Sequence, residues 1–223
     1  MSKKRIRLAS LSHKYFMAAA GVFLMLFLIA HLSTNLLLII GDEGAKFDEA
    51  VEFLTTNPFI RVVEIFLFGG FLLHIILGFV IEWHNKKSRP VGYKVATKSQ
   101  TSGFSRFMIH TGIVIFIFLI IHLYHFFFVK VGLVDVYAGA ESKHDFFPMV
   151  REMLQNPLVS IFYAVSVIIL GFHLNHAFQS AFQSFGLNHN KYTPAIKIIG
   201  TLYAIVISAG FFVIPVYFMF FYS

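Results

Sequence analysis

Apolar positions in this chain fall into five long runs, separated by shorter polar and charged stretches. The runs cover residues 15–40, 59–83, 107–129, 157–182 and 196–221. Each is near the roughly 20 residues a helix needs to cross the hydrocarbon of a bilayer. The pattern predicts an all-α integral membrane bundle of five transmembrane helices, forming a single domain over 1–223. Two connections are longer and mixed. Residues 48–54 and 146–154 alternate acids with Phe, Val, Met and Leu at helical spacing, which predicts short helices lying at the outer surface. The basic N-terminus ahead of the first run is not read as a signal peptide, because that run is too long and no small-residue cleavage site breaks it. No internal repeat stands out along the sequence.

Composition agrees with a membrane protein. The chain is 57% hydrophobic and only 13% charged, against about 25% charged in soluble domains. It has no cysteine, which excludes iron–sulfur ligation, covalent c-type haem attachment and disulfides.

Charge sets the expected orientation. The N-terminal tail holds Lys3, Lys4, Arg5, Arg7 and Lys14. The second connection holds Lys86, Lys87, Arg89, Lys94, Lys98 and Arg106, and the fourth holds Lys191 and Lys197. The opposite side has Lys46, Arg61, Lys130, Lys143 and Arg151, with ten of the eleven acids on it or just inside it. The positive-inside rule then puts the N-terminus in the cytoplasm and the C-terminus outside.

Four histidines, His31, His74, His122 and His173, each sit within a different apolar run. An ionisable side chain inside a bilayer is a functional-site candidate by default. Depth follows from the helical rise. His31 is 17 residues past Lys14 and His122 is 16 past Arg106, roughly 25 and 24 Å from the inner edge at about 1.5 Å per residue. His74 and His173 lie nine residues before Trp83 and 13 before Gly186, roughly 13 and 20 Å from that edge. Two depths give two pairs, and a histidine from each of two helices is what a bis-imidazole b-type haem requires. The alternative is interhelical hydrogen bonding or a proton relay. By spacing alone, His125 and His176 could replace His122 and His173, each being three residues further along the same face. His13, His84, His110 and His189 fall near the cytoplasmic interface, where solvation explains them. His144 lies in an outer loop and takes no role.

The local motifs are His31-Leu-Ser-Thr-Asn35, Leu73-His74-Ile-Ile-Leu-Gly78 followed by Arg89-Pro90 and Tyr93, His122-Leu123-Tyr124, and Phe172-His173-Leu174-Asn175 followed by Gln179-Ser180 and Gly186. As a set this resembles the cytochrome b membrane anchor of succinate:quinone oxidoreductases (succinate dehydrogenase/fumarate reductase), in the single-chain, five-helix, dihaem type. The resemblance extends over nearly the whole chain. It implies two haem b groups. His31 and His122 would be axial ligands to the iron of the outer (distal) haem, and His74 and His173 to the iron of the inner (proximal) haem. It favours His122 over His125 and His173 over His176, and leaves the fifth helix a packing role.

The resemblance further implies a bacterial cytoplasmic membrane as the location. The partners would be a flavoprotein subunit carrying the dicarboxylate chemistry and an iron–sulfur subunit docked on the basic cytoplasmic loops, with membrane lipid and quinone and no nucleic acid. Those loops also serve topology and attract anionic lipid. Charge moved between stacked haems crosses the membrane potential, at about 2.3 kcal/mol per charge per 100 mV. That suits a menaquinone reacting at the outer side. Glu49 and Glu52, after the first helix, are candidates for proton handling there, or else lie on the solvated face of a surface helix. Some members of the family carry a glutamate two residues before the fourth-helix ligand; here that position is Gly171.

Three rival readings differ in kind. A cytochrome b anchor of another respiratory dehydrogenase would distribute its histidines differently. A bc-type cytochrome takes two ligands from each of two helices. A proton-coupled transporter would use the histidines as a relay, but the helices show no inverted repeat and no broken pair at midplane.

Overall fold

The computed structural model describes residues 2–87, 107–135 and 146–222. Arg89, Pro90, Tyr93, Lys94, Lys98, Arg106, Lys143 and His144 therefore lie outside the described residues. Among the described residues seven helices follow in order: α1 (Ser2–Asn35), extended by a 3-10 turn at Leu36–Ile39, α2 (Ala45–Thr56), α3 (Pro58–Lys87), α4 (Met108–Lys130), α5 (Phe146–Gln155), α6 (Pro157–Ser184) and α7 (Thr193–Phe220). Among the described residues there is no strand. Helices α1, α3, α4, α6 and α7 are long and apolar enough to cross a membrane. Their ends extend past the apolar runs at Leu11 and Lys87, because backbone hydrogen bonding continues into the polar interface where hydropathy falls away.

Successive long helices run in opposite directions. The end at which α1 begins is called the N-face and the opposite end the C-face. Both helices that start at the C-face begin the same way. Asn57 Oδ1 accepts from the Phe59 N–H at 2.9 Å and Asn156 Oδ1 from the Leu158 N–H at 3.0 Å. Pro58 and Pro157 hold the first helical position, where no N–H is needed.

This shared start belongs to a repeat that was not expected from the sequence. Helices α1–α2–α3 and α4–α5–α6 have one plan: a long helix, a short C-face helix, an Asn-Pro cap and a returning long helix. Gly21, Phe27 and His31 in α1 recur at the same spacing as Gly112, Phe118 and His122 in α4. His74 is 16 residues beyond Pro58, and His173 is 16 beyond Pro157. Leu28, Ile29 and Leu32 recur likewise as Leu119, Ile120 and Leu123, while most other positions are apolar in both units without being identical.

Helix α7 is added to the two units and is held by close approach and hydrogen bonds. A Cβ on Gly200 would lie 2.8 Å from Phe178, and one on Gly210 2.8 Å from Leu32. Small residues at such crossings let membrane helices gain dispersion contacts where no hydrophobic drive exists. Tyr203 Oη donates to the Met25 carbonyl at 2.7 Å and Ser208 Oγ to that of Val167 at 2.8 Å. At Gly171 a Cβ would stand 2.9 Å from Ser208, so this position is filled by the α6–α7 contact and leaves no room for a carboxylate side chain.

The two short helices were expected to lie on the outer surface. Both form, but α5 is core. Its Phe146, Phe147, Met149, Val150, Met153 and Leu154 are buried against Leu38, Phe47, Val129, Tyr163, Ile214 and Phe218. An amphipathic face reads the same in sequence whether lipid or protein covers it, and here protein covers it. Asp48 of α2 stitches the units together, its Oδ1 accepting from the Phe147 N–H at 3.1 Å. Lys130 Nζ of α4 donates to Glu64 Oε2 of α3 at 2.6 Å, with both side chains about a quarter exposed (23% and 24%).

Two glycines in the α1–α2 connection separate backbone strain from packing. Gly41 and Gly44 both have left-handed backbones, with φ of +86° and +87°. Around Gly41 there is open space, whereas a Cβ on Gly44 would enter the Phe147 ring. Gly41→Ala should cost about 1–2 kcal/mol through the left-handed backbone alone. Gly44→Ala should cost a further ~1–3 kcal/mol through overpacking. Thermal unfolding of both variants in detergent checks this, and equal melting temperatures would contradict the buried placement of α5.

Candidate functional site

The four intramembrane histidines line one cavity of about 960 Å³ between α1, α3, α4 and α6. That volume is at the upper end of the ~300–1,000 Å³ of ordinary ligand pockets. Most of its wall is Leu, Ile, Phe and Met. Val150, Met153 and Leu154 of α5 close it toward the C-face. Toward the N-face it becomes polar, with Lys14, Glu82, Asn85, Ser180 and Gln183 in the lining.

Within the cavity the rings meet in two pairs. His31 and His122 have centroids 5.8 Å apart, and His74 and His173 6.4 Å apart. Each pair joins one helix of the first unit to one of the second. Two imidazoles binding one metal from opposite sides, through nitrogens about 2 Å from it, have centroids roughly 6 Å apart. The pairs therefore have the spacing of bis-imidazole ligation. Among the described residues no group of three or more His, Cys, Asp or Glu could hold a bare ion. A haem requires only two protein ligands, because its macrocycle supplies the other four.

The backbone makes room for these rings. Gly21 of α1 faces His74, where an added Cβ would lie 3.5 Å from the ring, and Gly112 of α4 faces His173 in the same way at 3.6 Å. Phe27 stacks on His31 and Phe118 on His122, at 5.2 and 5.5 Å. The repeat thus places a glycine against each N-face histidine and a phenylalanine against each C-face one.

Polar partners break the symmetry. Asn35 Nδ2 donates to the His31 carbonyl at 2.8 Å and lies 3.4 Å from His31 Nδ1; the equivalent position beside His122 is Phe126. Thr111 Oγ1 lies 3.1 Å from His173 Nδ1; the equivalent position beside His74 is Ala20. Consequently Nδ1 of His122 is buried without a hydrogen-bond partner, and that of His74 has none among the side chains. The Met17 backbone is a weak hydrogen-bond partner of the His74 ring, so the clear orphan is His122. A buried unpaired polar atom costs about 1–3 kcal/mol, which is a reason to look for a ligand at this ring. The donor set, spacing and apolar walls fit haem.

Spacing alone left His122 and His125 interchangeable, and His173 and His176 likewise. The structure separates the first couple through a π-helical turn at Leu123–Phe127, a feature often found at functional sites. His122 lines the cavity and faces His31. His125 points to α6, its Nδ1 3.1 Å from Tyr163 Oη, and is not in the cavity lining. Both His173 and His176 line the cavity, but His173 is the one against His74.

The remaining candidates are peripheral. Glu49 and Glu52 lie on the exposed side of α2 and do not line the cavity. His13 stacks on His84 at 6.1 Å near the N-face. His110 is exposed beside Phe107, and His189 lies in the α6–α7 connection, where its Nδ1 accepts from the Lys191 N–H. Thr111, Gly21 and Gly112 went unremarked in the sequence, and Asn35 entered only as the end of the His31 motif; the shared ten-residue step from glycine to histidine in α1 and α4, with Phe-Leu-Ile-x-His-Leu in both, was the available signal.

Comparison with protein-family models, curated proteins and solved structures returns no match.

The orphaned nitrogen predicts a conflict between stability and site. His122 is packed by Phe118, Phe126 and Tyr163, so His122→Phe should stabilise the cofactor-free chain by about 1–3 kcal/mol. Thermal unfolding of protein produced without cofactor reads this. A lower melting temperature would show that His122 Nδ1 is satisfied after all.

Proposed function

We propose that this chain is the dihaem cytochrome b anchor of a succinate:quinone oxidoreductase, passing electrons between an iron–sulfur subunit and membrane quinone. The observation that carries the reading is the presence of two histidine pairs at two depths in one apolar cavity. Bound haem b supplies a one-electron carrier within a region that lipid otherwise insulates. The rest of the chemistry belongs to the chain. His31 and His122 hold the C-face site, and His74 and His173 the N-face site. Imidazole suits both because it ligates in its neutral form and brings no charge into the hydrocarbon.

Apolar side chains of the walls and of α5 surround the rings. Lys14, the one cation in the cavity lining among the described residues, can hold a ligand carboxylate at the N-face mouth. In this reading the N-face, which the charge bias favours as the cytoplasmic side, is where the flavoprotein and iron–sulfur partners would dock in a bacterial membrane, and the C-face lies outside. Quinone, a menaquinone in this reading, would react near the C-face pair. Glu49 and Glu52, exposed beside that end, suit proton exchange with outside water rather than contact with a molecule in the cavity. The filled space at Gly171 supports a bundle without a transmembrane carboxylate route.

Haem b per polypeptide, by pyridine haemochrome on the detergent-purified complex, tests this. Two is the expected count, and none in folded protein would overturn the proposal and leave a histidine-relay transporter as the better reading. The pairing has its own check. His74→Ala and His173→Ala should each lose the same haem and weaken assembly, and His31→Ala and His122→Ala should each lose the other. Retention of both haems with unchanged spectra in any of the four would refute the ligand assignment.

A further inference from the structure

The partners of His173 Nδ1 constrain where its proton sits. Thr111 Oγ1 makes two contacts, one to the Met108 carbonyl at 2.9 Å, in which it is the donor, and one to His173 Nδ1 at 3.1 Å. A hydroxyl has one proton to give. The carbonyl can only accept, so with both bonds made the threonine oxygen must accept from His173 Nδ1–H. The ring is then the tautomer that carries its proton on Nδ1 and leaves the Nε2 lone pair free. The other three differ: His31 has the Asn35 amide near Nδ1, His74 has only the Met17 backbone beside it, and His122 has no partner at Nδ1.

We propose that Thr111 is a positioning residue that fixes His173 in the ligating tautomer and orientation, and so distinguishes the two metal sites from one another. The inference rests on the haem reading above and deepens it. A second partner on the far nitrogen of a metal-bound histidine sets ring orientation and raises ligand basicity, and its loss typically costs about 10–100-fold in metal affinity. Greater basicity favours the oxidised metal, so the bond lowers the reduction potential of the N-face haem. Gly112, next in sequence, faces the same ring from 3.6 Å. Thr111 thus orients the imidazole while Gly112 leaves room for it.

The test uses the full-length chain purified from membranes, with Thr111→Val, Thr111→Ala and Thr111→Ser. Haem count and a potentiometric titration of the α-band are read together. Val fills the space and Ala empties it, yet both remove the acceptor, so both should raise the midpoint potential of one haem or lose that haem. A tenfold change in oxidised-over-reduced preference is 59 mV for one electron. Ser keeps the hydroxyl and should titrate as wild type. The C-face haem, unchanged in the same sample, reports that the bundle is folded. Two wild-type haems with an unaltered titration in Val and Ala would overturn this inference alone. A shift in Ser as large as in Val would also overturn it, by assigning the effect to packing. A folded wild-type chain without haem would overturn the function proposed above as well.

Discussion

Inside a bilayer no solvent is available to hydrogen-bond a polar group, so every N–H, carbonyl and imidazole must find its partner in the protein. The long helices answer this for the backbone. For the side chains there are two answers: some hydroxyls, such as Ser33, bond a carbonyl of their own helix, and the four histidines are turned toward the cavity. Ser208, Tyr203 and Thr111 each donate to a backbone carbonyl, which occupies their hydroxyl protons and ties one helix to the next in two of the three cases. The imidazoles cannot all be satisfied this way. They gather around a space, and His122 retains an unpaired nitrogen.

The two-unit plan explains why the rings pair as they do. When a helix with its histidine ten residues beyond a glycine is used twice, the equivalent rings stand at equal depth. The Asn-Pro cap sets a common origin for the two returning helices, and 16 residues at about 1.5 Å per residue bring both histidines to the same level. Divergence then acted on the neighbours. Thr111 against Ala20, and Asn35 against Phe126, give each pair one ring with a polar neighbour and one without. The fold thus supplies symmetry of position, and single substitutions supply differences of chemistry.

The parts legible in the sequence were those set by the bilayer. Helix number and extent follow from hydrocarbon thickness, and the grouping of histidines by depth follows from the helical rise counted from flanking charges. What depends on protein touching protein was not legible. The amphipathic face of α5 gave its helix but not the buried cap that covers it. The π-helical turn separates His122 from His125, and the partner His125 meets, Tyr163, is 38 residues away. The repeat is short: beyond Phe-Leu-Ile-x-His-Leu in α1 and α4 its recurring positions are scattered among apolar residues, so it does not stand out from five similar apolar runs.

The place of α6 in the chain bears on biogenesis. One wall of the cavity is α6, which emerges from the ribosome after every other histidine-bearing helix. Until α6 has entered the membrane the N-face pair lacks His173. On the dihaem reading that site could be filled only after α6 is made, so cofactor insertion would follow chain order as well as affinity.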